Sequence, residues 1–159
     1  MWIIFERRGD CVDGFQTFND FMVDLYNDIM SIEEKAVITD DFKDISNNDM
    51  HVIEAIGDGK AKNMSTVAKT LKVTVGTLTI AINSLVKKAY VKRVRSEKDR
   101  RVVLISLSMK GKKAFAHHKE FHKKMIEAML EGLSSSETEV LVKALTNLKE
   151  YFLSYNEKL

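Results

Sequence analysis

Apolar side chains recur every three or four residues from Asp10 to about Val37. Phe15, Phe18, Met22, Leu25, Ile29 and Ile32 form one stripe, widened by Phe21, Tyr26 and Met30. Asp20, Asp24 and Asp28 hold the opposite side, so the stretch reads as a long amphipathic helix. The pattern lapses over Ile38–Ile45, which reads as a loop. Ser46 followed by Asp49 has capping-box spacing, with the shorter Asp in place of Glu, and opens a short helix through Met50, Ile53 and Ile56. Gly57-Asp58-Gly59 ends it.

From Met64 the elements shorten. Val67, Ala68 and Leu71 mark a small amphipathic segment, Lys72–Thr74 a turn, and Leu78, Ile82, Leu85 and Val86 the apolar face of a second helix. Two β-type runs follow, Val91–Arg95 and Arg101–Leu107, joined by the polar SEKDR. Helix, tight turn, helix and basic hairpin is the layout of a winged helix-turn-helix, a reader of duplex DNA. Beyond it, Met109 to about Glu131 is helical, with Ala114, Phe115, Phe121, Met125, Met129 and Leu130 among its apolar positions. Gly132 stops that helix, and Ser134 with Glu137 caps the last one, which carries Leu141, Ala144, Leu145, Leu148, Phe152 and Tyr155 in a regular stripe.

The predicted fold is mainly α: a winged helix-turn-helix with long N- and C-terminal helices forming a dimerisation bundle. With no repeat or linker, residues 1–159 read as a single domain. Its dimerisation helices lie at about 10–37 and 109–157, and its DNA-binding part at about 46–108. The terminal stripes are too long to be covered by a winged helix of some 60 residues, so they are expected to pack together and against a second copy. An intramolecular bundle in a monomer is the alternative.

Composition narrows this picture. The absence of Pro and the sparse Gly, 7 in 159 residues, let long helices run uninterrupted. A lone cysteine, Cys11, excludes an internal disulfide framework and fits a reducing cytoplasm, the expected location. No apolar run approaches the roughly 20 residues that span a bilayer. MWIIF is followed at once by charge and is too short for a signal peptide's apolar region. The net charge of +2 conceals an asymmetry: 13 acidic residues face only Lys35 and Lys43 between Asp10 and Asp58, whereas 8 basic residues face Glu97 and Asp99 between Lys87 and Arg101. A polyanion would meet the hairpin.

The order of elements and the hairpin sequence RSEKDRRVVLISLSMKGK resemble the MarR family of bacterial regulators. The family's closing pattern appears as Asp99-Arg100-Arg101, a hydrophobic strand, then Leu107-Ser108-Met109-Lys110-Gly111, with Ser where Thr is usual. The resemblance runs from about Asp10 to the C-terminus. Separated blocks (SIEEKAV, FKDISNNDMHVIEAIG, VTVGTLTIAINSL, KKAYVKRVRSEKDRRVV, HHKEFHKKM) are similar to the branch that represses fatty-acid-synthesis genes. That likeness implies a homodimer on palindromic promoter DNA, tightened by long-chain acyl groups on acyl carrier protein. It also implies an effector pocket between the dimer helices and the reading head, where Phe15, Phe18, Met22, Met50, Ile53, Met125 and Met129 could line an apolar channel. Met and Phe stripes of this kind are more often plain core.

In the reading head, Thr74 is the expected N-cap of the second helix. With its apolar face buried, Val75, Gly76, Thr77, Thr79, Ile80 and Asn83 point outward. Thr hydroxyls suit phosphates or base edges, Thr and Ile methyls suit thymine, and Asn83 could read adenine or meet phosphate. Gly76 would let a phosphate or base approach the backbone. Neither Arg nor Gln occurs in this set, which predicts a bias toward A·T-rich DNA. Lys98, Arg100 and Arg101 stand at or just past the hairpin tip, where a narrow minor groove draws cations in, and Asp99 is expected to orient Arg101. Lys87, Lys88, Lys92, Arg93 and Arg95 include phosphate partners, and Ser65 at the start of the motif's first helix is a further candidate.

Other chemistries are weaker. His118 and His122, one helical turn apart, have a zinc-binding spacing, but Glu33, Glu34 or His51 would have to come from other helices, and a solvated Lys/His face explains HHKEFHKK more simply. No metal site or cofactor is therefore assigned. Asp10 and Asp13 would raise the Cys11 thiol's pKa and dull a peroxide response. A MarR-type regulator sensing zinc, peroxide or a small aromatic ligand is the alternative function. No phosphate loop, nucleophile elbow or carboxylate pair indicates an enzyme. A protein-binding adaptor is disfavoured by the basic hairpin.

Overall fold

In the computed structural model, which describes residues 11–37, 39, 41–96, 99 and 102–156, the long first helix α1 runs over Cys11–Val37. The loop after it delivers Phe42 and Ile45 to the core. Helix α2 (Asn47–Ile56) opens on the expected capping box. Asp49 N–H donates to Ser46 Oγ at 3.1 Å, and Ser46 N–H donates to Asp49 Oδ2 at 3.2 Å. Gly57 closes it with φ +69°, a left-handed value that glycine adopts without steric cost. Lys62 then donates from Nζ to the Ala55 carbonyl at 2.9 Å, placing a cation where the α2 dipole is negative.

Three short helical and strand elements follow in quick order: β1 (Lys62–Asn63), α3 (Met64–Leu71) and α4 (Val75–Lys87). The wing strands are β2 (Val91–Arg95) and β3 (Val103–Leu107). They are antiparallel with Val91 opposite Leu107 and Arg95 opposite Val103. β1 adds to the far edge of β3, Lys62 opposite Ile105, giving the order β1-β3-β2. Two residues carry no periodicity, and β1 exists only because β3 offers it an edge. Helices α5 (Met109–Leu130) and α6 (Ser135–Asn156) complete the chain. The expected box at the start of α6 forms, with Glu137 N–H donating to Ser134 Oγ and Ser134 N–H to Glu137 Oε2.

The described chain folds as two compact units, one ending at Lys119 and the other beginning at Glu120. The first has a core of Met50, Ile53, Ile56, Val67, Leu78, Ile82, Leu85, Tyr90 and Ile105, each at most 1% exposed. Cutting any of its large aliphatic members to Ala would cost about 2–5 kcal/mol. In the second, α6 leaves Val140, Val142, Leu145, Leu148, Phe152 and Tyr155 exposed in the single chain. On α1, likewise, Phe21, Leu25, Tyr26, Met30 and Ile32 are exposed and Met22 and Ile29 half-buried. Among the described residues no helix is long and apolar enough to cross a membrane.

Candidate nucleic-acid interface

The reading head is assembled by local hydrogen bonds. Asn63 caps α3, its Oδ1 accepting from Thr66 N–H at 2.7 Å. This cap was readable, since Asn three residues before Thr66 and just ahead of an apolar pattern is a start signal. Lys72 then takes a left-handed conformation (φ 55°, ψ 38°), and its N–H returns to the Ala68 and Lys69 carbonyls. That reversal turns the chain within three residues. Thr74 caps α4 as expected, its Oγ1 accepting from Thr77 N–H at 3.1 Å and lying 2.9 Å from Thr77 Oγ1.

Burial sorts α4 cleanly. Leu78, Ile82 and Leu85 are buried. Val75, Gly76, Thr77, Ile80 and Asn83 are exposed and Thr79 is half-buried. Ile80 is 74% and Val75 44% exposed, which leaves two apolar side chains of this helix in water. Such exposure fits a surface that meets a partner. Thr79 Oγ1 donates to the Val75 carbonyl at 2.7 Å, so its hydroxyl proton is committed and its methyl and lone pairs remain for a ligand. Ser65 is exposed in the first turn of α3. A Cβ on Gly76 would meet only Thr74 Oγ1, at 3.7 Å, leaving this turn open to a close-approaching phosphate.

The wing is tied to this helix directly. Arg93 on β2 donates from Nη2 to Asn83 Oδ1 at 2.7 Å. Asn83 was expected to meet base or phosphate; its side-chain carbonyl accepts this bond from the wing. Lys92, Arg93 and Arg95 are exposed on β2. At the tip, Ser96 N–H donates to the Val102 carbonyl and Val102 N–H to the Asp99 carbonyl, both at 2.9 Å. Asp99 is exposed there, while Lys98, Arg100 and Arg101 lie outside the described residues.

At its base the wing is anchored through Tyr90. Ser108 N–H donates to the Tyr90 carbonyl at 2.8 Å, Ser108 Oγ donates to the Ala89 carbonyl at 2.6 Å, and Gly111 N–H donates back to Ser108 Oγ at 3.1 Å. The Tyr90 hydroxyl donates to Asp44 Oδ1 at 2.7 Å, and Lys110 Nζ sits 4.1 Å from the Tyr90 ring centre and 3.1 Å from Asp44 Oδ2. The Tyr90 hydrogen bond, helped by Lys110, holds the Asp44 carboxyl below its ordinary pKa. Burial, reinforced by Asp44, pushes the Tyr90 phenol well above its own. A parallel ion pair, Lys88 Nζ to Asp49 Oδ2 at 2.7 Å, joins the end of α4 to the start of α2.

A cavity of about 760 Å³ lies beside the recognition helix, with mostly apolar walls from Val52, Ala55, Leu71, Val73, Leu78, Ala81 and Phe115. Of the residues expected to line an effector channel, five have described side chains. Met50 and Ile53 are fully buried in the core, because their face of α2 turns toward it. Met22 is half-buried on α1, and Met125 and Met129 are exposed on α5. The side chains of Phe15, Phe18 and Cys11 lie outside the described residues.

A capped two-helix motif with a tight left-handed turn, an outward polar-apolar face and a basic wing define a winged helix-turn-helix DNA-binding regulator. Residues 35–118 match the family model described as transcriptional regulator SarA/Rot, and the chain belongs to this MarR-type family of winged-helix transcriptional regulators. It is similar to Streptococcus pneumoniae FabT, whose structure was solved in complex with DNA. The two share 41% identity over 89% of this chain and 99% of that one, with a TM-score of 0.80. The S. aureus MepR–DNA complex, at 18% identity over 83% of this chain and 94% of that one, shares the fold with a TM-score of 0.66. The uncharacterized HTH-type regulator YpoP of Bacillus subtilis (strain 168) is 28% identical over 78 residues, 49% of this chain. The match spans 55% of the length of that curated relative.

Proposed function

We propose that this protein is a homodimeric repressor of fatty-acid-biosynthesis genes. It would bind palindromic promoter DNA through α4 and the wing, and bind more tightly when long-chain acyl-acyl carrier protein is present. The observation that carries the reading is the 41% identity to FabT along 99% of that chain, in a fold whose recognition helix keeps an exposed Thr/Ile/Asn face. The unpartnered apolar residues of α1 and α6 support a dimer, since stripes of this size are unstable in water. The apolar cavity beside α4 supports a hydrophobic effector.

The effector acts only by preferring the DNA-competent arrangement, and a tenfold tightening needs about 1.4 kcal/mol of such preference. Long chains should outperform short ones, because each buried CH₂ contributes about 0.8 kcal/mol where burial differs between the two states. The test is an operator-binding titration by fluorescence anisotropy with carrier protein bearing no chain, a short chain or a long chain. Tightening that grows with chain length is expected. Equal affinity in all three arms refutes acyl sensing and leaves DNA binding intact. A salt titration of the same complex should show a steep negative slope, and a flat one refutes DNA reading itself.

A further inference from the structure

The outward ridge of α4 consists of Gly76, Ile80, Asn83 and Lys87, which recur at helical spacing and are all exposed. It lies opposite the buried Leu78, Ile82 and Leu85. Ile80 stands in the middle of this ridge. At 74% it is the most exposed large hydrophobic side chain among the described residues. Helical side chains lean toward the N-terminus, so Ile80 leans over the turn that holds Gly76. That turn is open: a Cβ at Gly76 would meet only Thr74 Oγ1, at 3.7 Å. We infer, on the reading that α4 enters the major groove of promoter DNA, that Ile80 and the notch at Gly76 receive the C5-methyl group of a thymine. Methyl packing, more than hydrogen bonding, is then how this helix selects its bases.

The hydrogen-bonding groups of α4 carry the first part of the argument. The helix has no Arg, Gln, Asp or Glu, and its one Lys is Lys87, in the last turn. The side chains that pair with guanine or cytosine edges are therefore missing from its leading turns. The polar groups it does present are already bonded within the reading head. Thr79 Oγ1 donates to the Val75 carbonyl at 2.7 Å, and the Thr74 and Thr77 hydroxyls share one bond at 2.9 Å. Asn83 Oδ1, which a bidentate pair with adenine would use, accepts from Arg93 at 2.7 Å.

The chemistry of the bases carries the rest. Thymine alone among the four presents a methyl group in the major groove, beside an O4 acceptor that this face of α4 has few free protons to meet. An isoleucine left in water on a reading helix gains free energy only when apolar surface covers it. Burying one methyl group corresponds to about fourfold in an equilibrium constant. Any side chain at position 76 would occupy the space the methyl enters.

The experiment takes the full chain and a DNA duplex that it has itself selected from a random library. Each thymine is replaced in turn by deoxyuridine, which removes the methyl and keeps the base pair, and affinity is read by fluorescence anisotropy. One or two thymines in each half-site should each lose about fourfold to tenfold, and the others less than about twofold. At a sensitive position, cytosine paired with guanine should bind more weakly, and 5-methylcytosine should recover part of the loss. Ile80→Ala truncates an exposed side chain and should melt like the parent. It should bind the thymine duplex more weakly and lose the distinction between thymine and uracil at those positions. Undiminished affinity with deoxyuridine at every thymine overturns methyl reading and leaves DNA reading standing. A uracil penalty that persists in full in Ile80→Ala overturns the role of Ile80. Failure of the parent to select any duplex overturns DNA reading itself and methyl reading with it.

Discussion

Arg93 on the wing and Asn83 on the recognition helix are joined by a 2.7 Å hydrogen bond, so the two DNA-facing elements of the reading head are set against each other before any DNA arrives. Asn83 is then bonded to the wing whether or not it also reads a base. Asn83→Ala and Arg93→Ala should each weaken operator binding by about 1–2 kcal/mol, the exposed setting keeping the loss below that of a buried charged hydrogen bond. The double variant should lose less than the sum of the two. Strict additivity in an anisotropy-based double-mutant cycle would falsify the coupling. Arg93→Ala should also lower the salt slope by about one if its guanidinium contacts phosphate.

Tyr90 and Asp44 make stability depend on pH at both ends of the scale. Asp44 has a depressed pKa in the folded protein, so its contribution is complete above the ordinary carboxylate value of about 3.9 and fades as pH falls below it. Tyr90 has a raised pKa, so its contribution is complete below about 10 and fades as pH rises further, when only the unfolded chain ionises. Tyr90→Phe should cost about 1 kcal/mol near neutrality, since Asp44 remains solvated. It should also flatten both limbs of a plot of urea-unfolding free energy against pH. Limbs as steep as the parent's would show that other groups control them.

Gly111 sits where α5 crosses the base of the wing, and a Cβ there would run into the Tyr90 carbonyl oxygen. Backbone on backbone cannot relax cheaply. Gly111→Ala should therefore destabilise by about 2–3 kcal/mol. Gly59→Ala is the control, with nothing near its Cβ, and should change stability by less than about 0.5 kcal/mol. Equal midpoints for the two variants in urea would contradict the packing account.

Leu145 and Leu148 on α6 are 46% and 37% exposed in the single chain. If a second copy covers them, Leu148→Asp places an unpaired charge in apolar surroundings and should dissociate the dimer or prevent its folding. Sedimentation of the unmodified protein checks the premise. A stable monomer at micromolar concentration would remove it, and with it the expectation of half-sites about one helical turn apart.

Arg101→Ala should weaken DNA binding by about 1–3 kcal/mol. Asp99→Ala should weaken it too, although a negative charge is removed. Tightening by Asp99→Ala would mean that simple phosphate attraction governs the wing.

Much of this protein is determined by local rules that a linear sequence carries intact. The α4 face was legible because Leu78, Ile82 and Leu85 repeat at helical spacing. The starts of α2, α4 and α6 were legible because Ser46, Thr74 and Ser134 bond backbone within their own first turns. The basic hairpin was legible because charge and alternation coincide there. What joins elements distant in the chain was decided only by tertiary structure. β1 has no signal of its own and forms against β3. Asn83 gains Arg93 only when β2 folds beside α4. The periodicity that places Met50 and Ile53 on one face of α2 does not say whether that face lines a channel or the core, and packing against α3, α4 and β3 buries them. His118 was visible as half of a pair on one helix, yet its partners Glu33, His51 and Glu54 stand 64 to 85 residues away and meet it only through the packing of α1, α2 and α5. Turns and caps are encoded within about four residues, whereas a cluster of side chains drawn from three helices depends on where a shared core places them.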